Sequence, residues 1–203
     1  DSQKTRLLRS LNGDGRYGAG LAIALLVLLL PLLGGDDLRL ALRYERGAIL
    51  EGQWWRLLAG HLVHLDASHA VLNGGGLVLL WSLFARAYRP LRWVIILLGT
   101  VLVIDAGFWW REPQLHWYVG ASGVLHGVCA AGCVALLRDK DPVGIVAGVI
   151  FAAKLAWEHW QGPLPYEDSG PGIPAARRYG APGGAVGGAV AAPAAPAPRH
   201  PLY

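Results

Sequence analysis

A serine between small residues opens the fourth apolar run of the sequence, in the stretch Gly120-Ala121-Ser122-Gly123. Small neighbours let other backbone approach closely, and a serine at a helix start lies beside backbone N–H groups that have no intrahelical partner. Those are the features of a nucleophile with an oxyanion-binding pocket. The same small residues also pack helices together in membrane bundles, so packing is the alternative interpretation of Ser122.

Three further polar residues lie within apolar runs near this stretch or before it. His69 and Asn73 are four residues apart and therefore share one helix face. Polar groups at membrane depth are costly, so they mark either a functional site or an interhelical hydrogen bond. His126 follows Ser122 by one turn, and helical side chains lean back towards the N-terminus. It is therefore either a local proton acceptor or a packing residue behind the site.

The composition indicates a single-domain integral membrane protein. The 203 residues are 54% hydrophobic and only 16% charged, whereas soluble domains carry roughly a quarter charged residues. The net charge of +4 comes from basic residues that flank apolar runs, so it indicates topology and no nucleic-acid partner. Cys129 and Cys133 are interpreted as packing residues, because two cysteines alone are too few for a structural zinc site. No metal site is expected.

The apolar runs predict an all-α bundle of six membrane spans. They cover residues 17–34, 68–84, 93–110, 120–137, 142–160 and 179–192. Basic residues before span one and in the loops after spans two and four predict a cytoplasmic N-terminus. The predicted organisation is a cytoplasmic segment at 1–16, a membrane domain at 17–192 and a disordered Pro/Ala-rich tail at 193–203. Gly34-Gly35 is expected to stop the first span.

Residues 35–67 are too polar to span and too apolar for a disordered linker, which predicts an amphipathic helical hairpin at the outer interface. Trp54 and Trp55 support this position, because tryptophan favours the headgroup level. Arg56 either ties the hairpin together through hydrogen bonds to carbonyls or extends to the interface. Asp105, within span three, either pairs with a neighbouring helix or lies near the outer surface.

Three of these features follow one another along the sequence. They are Trp55-Arg56 in the interfacial loop, His69 with Asn73 in span two, and Gly120-Ala121-Ser122-Gly123 at the start of span four. In this order they resemble the rhomboid family of intramembrane serine proteases, which has a six-span core. The wider wording of the motifs is similar to the rhombosortase branch of that family, and it covers Gly52 to Arg56, Gly60 to Leu65, Trp117 to Gly127 and Lys154 to Glu158.

The resemblance implies roles for individual residues. Ser122 would be the nucleophile, and its backbone N–H would hold the oxyanion together with the side chains of His69 and Asn73. The outer loop would be shaped by three structural residues, Trp55, Arg56 and His64, of which His64 is interpreted as a hydrogen-bonding residue. No cofactor is implied. The partners would be membrane-anchored protein substrates and the lipid bilayer, with an inner-membrane location in a bacterium.

One position departs from the family pattern. Rhomboids take their general base from a histidine of span six, in an Ala-His-x-x-Gly setting, whereas this chain has Arg177 in Ala176-Arg177-Arg178-Tyr179-Gly180. A guanidinium stays protonated and cannot accept the serine proton. Two functions therefore stand: a rhombosortase-type protease that cuts C-terminal Gly-Gly anchors from exported proteins, and a non-catalytic binder of client helices.

The glycines of spans four and six predict how those two helices pack. Gly123, Gly127, Gly180 and Gly184 have small-xxx-small spacing, which suits a close approach of two helices. Spans four and six are therefore expected to touch through these residues, with Ser122 in a water-filled cavity opposite His69.

Overall fold

The computed structural model describes residues 11–161, and this part of the chain is mostly helical. The elements in order are α1 (Gly18–Leu29), a 3-10 helix (Leu30–Gly34), α2 (Gly35–Leu42), β1 (Tyr44–Glu45), α3 (Arg46–Leu50), α4 (Trp55–Ala59), α5 (Ala67–Phe84), α6 (Pro90–Arg111), β2 (Trp117–Tyr118), α7 (Ser122–Arg138) and α8 (Pro142–Gln161). Helix α7 lies against α5, α6 and α8, and α1 packs on α5. The helix that begins at Ser122 is thus the centre of the bundle.

Within residues 11–161, three helical segments are long and apolar enough to cross a membrane: Gly18–Leu42, Ala67–Phe84 and Pro90–Arg111. Ser122–Arg138 and Pro142–Trp157 are shorter apolar helices. Many aliphatic side chains on these helices point outwards, as Ile95 and Val103 do on α6, and such a surface suits lipid rather than water. The chain is therefore an integral membrane protein. The predicted span at 179–192 lies outside the described residues.

The apolar helix of the first span ends at Gly34-Gly35, as the sequence predicts. It changes at Leu30 to a 3-10 helix that contains Pro31 and ends at Gly34, and the short helix α2 then runs from Gly35 to Leu42. A proline lacks the N–H of a regular helical bond, so the tighter winding there has a local cause. Gly35 has a φ of 60°, a conformation that glycine adopts readily. This non-helical residue separates the 3-10 helix from α2.

The region after the first span is not the expected helical hairpin. Residues 35–67 form three short helices, α2, α3 and α4, and a two-residue strand that pairs with β2 in antiparallel fashion. Tyr44 lies opposite Tyr118, and Glu45 opposite Trp117. The reason is that Tyr44 and Tyr118 are buried in a cluster with Ile49, Phe108 and Leu115, so the loop is held by aromatic packing and not by a helix pair.

Glycines let α7 approach two neighbouring helices. A Cβ at Gly127 would lie 2.5 Å from Oγ1 of Thr100, and one at Gly123 would lie 3.0 Å from Cδ1 of Ile104. Both glycines therefore lie close to α6, and the predicted contact with span six is not tested by the described residues. Residues 180 and 184 lie outside the described part of the chain.

Gly132 is the tightest of these contacts, and we expect alanine there to destabilise the protein. A Cβ at Gly132 would overlap Cγ of the buried Phe84 ring, and overpacking of this kind costs about 1–3 kcal/mol. Gly75→Ala is the matched control, because a Cβ at Gly75 meets nothing within 4 Å. Thermal unfolding in detergent should show a lower Tm for Gly132→Ala alone. Equal shifts for both variants would contradict this packing.

Candidate active site

Ser122 is the first residue of α7, and the turn before it is held by a backbone hydrogen bond. The backbone N–H of Gly120 donates to the carbonyl of Gly60 at 3.0 Å, which ties the serine turn to the loop after α4. Gly120 has a φ of 123°, which strongly favours glycine. Ser122 therefore lies in the first turn of α7, where the backbone N–H groups are not used by the regular hydrogen bonds of a helix.

His69 lies directly against this turn. A Cβ at Gly120 would come 2.9 Å from Cε1 and 3.1 Å from Nε2 of His69, so only a glycine leaves room for the ring. His69 is in the first turn of α5, where its backbone N–H donates to the N-capping carboxylate of Asp66 at 2.8 Å. The hydrogen bond from the Ser68 hydroxyl, followed by this bond from His69, holds the pKa of Asp66 below its usual value. The histidine and the serine turn are thus brought together from helices far apart in sequence.

Asn73 is buried one turn further along α5. Its side-chain N–H donates to the carbonyl of His69 at 3.0 Å. An amide NH₂ has two hydrogens, so this bond fixes the group and still leaves one hydrogen for a ligand.

The Tyr118 hydroxyl lies against the serine turn. The sequence did not predict Tyr118 as a site residue. It donates to the carbonyl of Gly120 at 2.8 Å and has a hydrogen bond with the Ser122 side chain. Burial raises the pKa of Tyr118 to about 12, so the phenol stays protonated at neutral pH. The signal in the sequence was its position two residues before Gly120, but its pairing with Tyr44 could not be inferred from that.

A buried ionisable pair lies behind Tyr118. His61 Nε2 is 3.2 Å from Oδ1 of Asp105, and the two residues are 1% and 7% exposed. The His61 ring also contacts Tyr118, with centroids 5.4 Å apart. Asp105 therefore pairs with the loop after α4, and this contact links α6 to the same loop that holds Gly120. His61 is a second residue that the motif search did not single out.

His64 does not act as the hydrogen-bonding residue that was expected. Within residues 11–161 neither of its ring nitrogens has a hydrogen-bond partner. Its ring instead packs edge-on against His69, with centroids 5.1 Å apart. Burial, followed by the neighbouring His69, lowers the pKa of His64 to about 4.

This lowered pKa predicts a loss of stability in acid. The unfolded chain binds a proton at His64 below about pH 6.5, whereas the folded protein excludes it until about pH 4. The free energy of unfolding should therefore fall as the pH drops through this window, by about 1.4 kcal/mol per unit. In denaturant unfolding experiments in detergent, the free energy of unfolding of His64→Gln should depend less steeply on pH than that of the wild type. His116 is exposed, so His116→Gln should keep the wild-type dependence. Equal slopes in the two variants would disprove the assignment.

Arg56 is buried and hydrogen-bonded, and it does not extend to the interface. It donates to the carbonyls of Leu40 and Arg43 at 2.8 and 2.9 Å, and its Nε donates to Oε1 of Gln53 at 2.7 Å. It thereby joins α4 to the end of α2. Trp55 beside it is more than half exposed, so the two residues of this motif face opposite ways.

His126 has both ring nitrogens engaged away from the serine hydroxyl. Nδ1 lies 2.6 Å from the backbone carbonyl of Ser122, and Nε2 lies 3.0 Å from Nζ of Lys154 on α8. A carbonyl only accepts, so Nδ1 carries the hydrogen and Nε2 accepts from the ammonium group. The described structure thus brings Ser122, His69 and Asn73 to one end of the bundle, with His126 behind them. Arg177 lies outside the described residues.

Comparison with known proteins identifies this arrangement. Residues 51–194, well over half of the chain, match the Rhomboid domain. The chain belongs to the rhomboid family, whose members are usually intramembrane serine proteases acting on membrane proteins within the bilayer. It is also 28% identical over 96 residues to "Putative rhomboid protease YdcA" of Bacillus subtilis (strain 168). That match covers 47% of this chain and 48% of the relative, so it spans about half the relative's length. No solved structure matches the chain.

Proposed function

We propose that this protein is an intramembrane serine endopeptidase of the rhombosortase type, which cleaves C-terminal Gly-Gly anchors of exported proteins. The observation that carries the proposal is the packing of the His69 ring on Gly120, two residues before Ser122. Two motifs that are 50 residues apart in the sequence thereby meet at one helix start. A packing role for Ser122 alone would not require a buried amide and an imidazole beside it.

The proposed chemistry is acyl transfer through Ser122. Its hydroxyl oxygen forms a bond to the carbonyl carbon of the scissile peptide, the C–N bond breaks, and the proton that the hydroxyl loses is transferred to the leaving amine. The negative charge that develops on the carbonyl oxygen is stabilised by the Ser122 N–H and by the side chains of His69 and Asn73. Water then hydrolyses the acyl-enzyme, which requires a cavity open to the aqueous side. Glycines next to the scissile bond suit this site, because they lower the cost of unwinding a substrate helix.

The proposed topology has six spans and a cytoplasmic N-terminus in a bacterial inner membrane. It is supported by the arginines at the end of the bundle where α5 ends and α6 begins, since basic loops favour the cytoplasmic side. Ser122 begins α7 at the opposite end, which would face the exterior, where exported proteins are anchored. The loop of α2, α3 and α4 would lie at that outer interface.

The substrate class is tested with an exported reporter that carries a C-terminal anchor. Coexpression with this protein should release the reporter when the anchor contains a Gly-Gly pair. The matched anchor, with both glycines replaced by leucine, should stay uncut because its helix resists unwinding. Release of both reporters at the same rate would rule out the rhombosortase-type preference.

A second function, binding client helices without cutting them, is favoured by one specific observation. Arg177 stands where the family has its base histidine, and both nitrogens of His126 are engaged elsewhere. The discriminating variant is Arg177→His. If the binder is correct, the original protein retains the reporter uncut and the variant gains cleavage. If the protease is correct, the original protein already cleaves.

A further inference from the structure

An open basic pocket on the surface, called the basic cavity below, lies at the end of the bundle opposite Ser122, between the N-terminal segment and the turn that joins α5 to α6. Its volume is about 480 Å³. Four arginines and two tyrosines line it: Arg16, Tyr17, Arg86, Tyr88, Arg89 and Arg92. The proposed protease reaction uses none of these residues, and none of the motifs includes them.

The cavity has more positive charge than its own acid can neutralise. Arg86 is paired with Asp14 at 2.5 Å and also donates to Oδ1 of Asn12 at 2.6 Å. Within the described part of the chain, the other three arginines of the cavity form no ion pair. Several guanidinium groups around one space form a binding site for a phosphate group, because their planar donors match its oxygens.

One wall of the cavity, formed by the N-terminal segment, is held in place. Asn12 is only 1% exposed, and its side-chain N–H groups donate to the carbonyls of Trp81 and Ser82 at 3.3 and 2.8 Å. The guanidinium groups of Arg16 and Arg86 both lie 5.5 Å from the ring centre of Tyr17. The N-terminal segment is therefore docked on α5 and forms a fixed side of the cavity.

A second, apolar cavity adjoins the basic one. It has a volume of about 270 Å³ and shares Tyr88 and Arg92 with it. Its remaining lining residues are Ile95, Ile96 and Ala131, which lie on α6 and α7. A ligand that filled both spaces would need an anionic head and a hydrocarbon chain. Free phosphate would use only the first.

We propose that these joined cavities bind one anionic phospholipid. Its phosphate lies among Arg16, Arg89 and Arg92, and an acyl chain runs along Ile95 and Ile96 between α6 and α7. The basic cavity opens where a lipid headgroup layer meets the helix ends, since α6 begins at Pro90 and continues as an apolar helix. Juxtamembrane arginines in general attract anionic lipids, at about 1 kcal/mol each. This site, in addition, requires the acyl chain of the lipid.

Native mass spectrometry of the purified full-length protein in detergent tests the site. Phosphatidylglycerol is titrated against phosphatidylcholine with the same acyl chains, and a molar excess of inorganic phosphate is added as a competitor. Wild-type protein should retain one phosphatidylglycerol in preference to phosphatidylcholine, and phosphate should not displace it. Equal retention of the two lipids would overturn the proposal, and so would displacement by inorganic phosphate, which would indicate a simple anion site.

The matched variants are Arg89→Gln/Arg92→Gln and Arg138→Gln. Arg138 ends α7 and lies outside both cavities. The double variant should bind phosphatidylglycerol about 30-fold more weakly, at roughly fivefold per arginine, while the control, which removes one charge outside the cavities, should lose no more than about fivefold. Equal weakening in the two variants would show that only the general charge of this face matters, and it would contradict a built site.

Discussion

Ser122→Ala should abolish cleavage of a membrane-anchored substrate. We expect a loss on the order of 10⁴-fold or more, because removing the nucleophile of a serine protease leaves only the residual catalysis of the oxyanion site. Ser122 is the first residue of α7, close to Gly120 and His69, and its hydroxyl has a hydrogen bond with the buried phenol of Tyr118. The measurement is the initial rate of cleavage of a purified anchored reporter in proteoliposomes.

Ser82→Ala is the matched control for this loss. Ser82 is also in an apolar helix, but its hydroxyl donates to the carbonyl of Leu79 at 2.7 Å, near the other end of the bundle. That variant should cleave at the wild-type rate. A Ser122→Ala protein that still cleaves would show that another group is the nucleophile, and the site would then have to be abandoned.

Removal of the oxyanion donors should produce the second-largest effect. Asn73→Ala should lower kcat by about 10²–10³-fold, because one preorganised donor to a developing oxyanion contributes roughly that much. His69→Ala should cause a loss of similar size. The buried amide of Asn73 is already oriented by its bond to the His69 carbonyl, so KM should change far less than kcat. Steady-state kinetics on the anchored reporter separates the two parameters.

Gly75→Ala, two residues after Asn73, is the control for changes in α5 itself. A Cβ at Gly75 meets nothing within 4 Å, so this variant should keep both kcat and KM. If Asn73→Ala raised KM and left kcat unchanged, the amide would bind the substrate in its ground state and would not stabilise the transition state. That outcome would remove Asn73 from the oxyanion site.

The sequence predicts the helices well because their signal is local. Runs of apolar residues and their flanks place the helix of residues 67–84 within one residue of the predicted span, and α7 starts two residues after the predicted position. The order of the motifs also predicts the family, which the Rhomboid match confirms. Hydrophobic periodicity and turn residues contain this information without reference to distant parts of the chain.

The contacts that shape the site are not local, and the sequence did not predict them. The β1–β2 pair joins Tyr44 to Tyr118, and such a short pairing leaves no periodic pattern. The bond between His61 and Asp105 depends on how a loop docks against α6.

Covalent labelling tests the central claim most directly, that Ser122 is an activated nucleophile in a water-accessible site. The purified protein is incubated with a fluorophosphonate probe, which reacts with activated serine hydroxyls, and the modified peptide is identified by mass spectrometry. The account predicts one adduct on Ser122 and none on Ser82, with no adduct in Ser122→Ala. A wild-type protein that shows no adduct on Ser122, while a known serine protease in the same detergent is labelled, would contradict it.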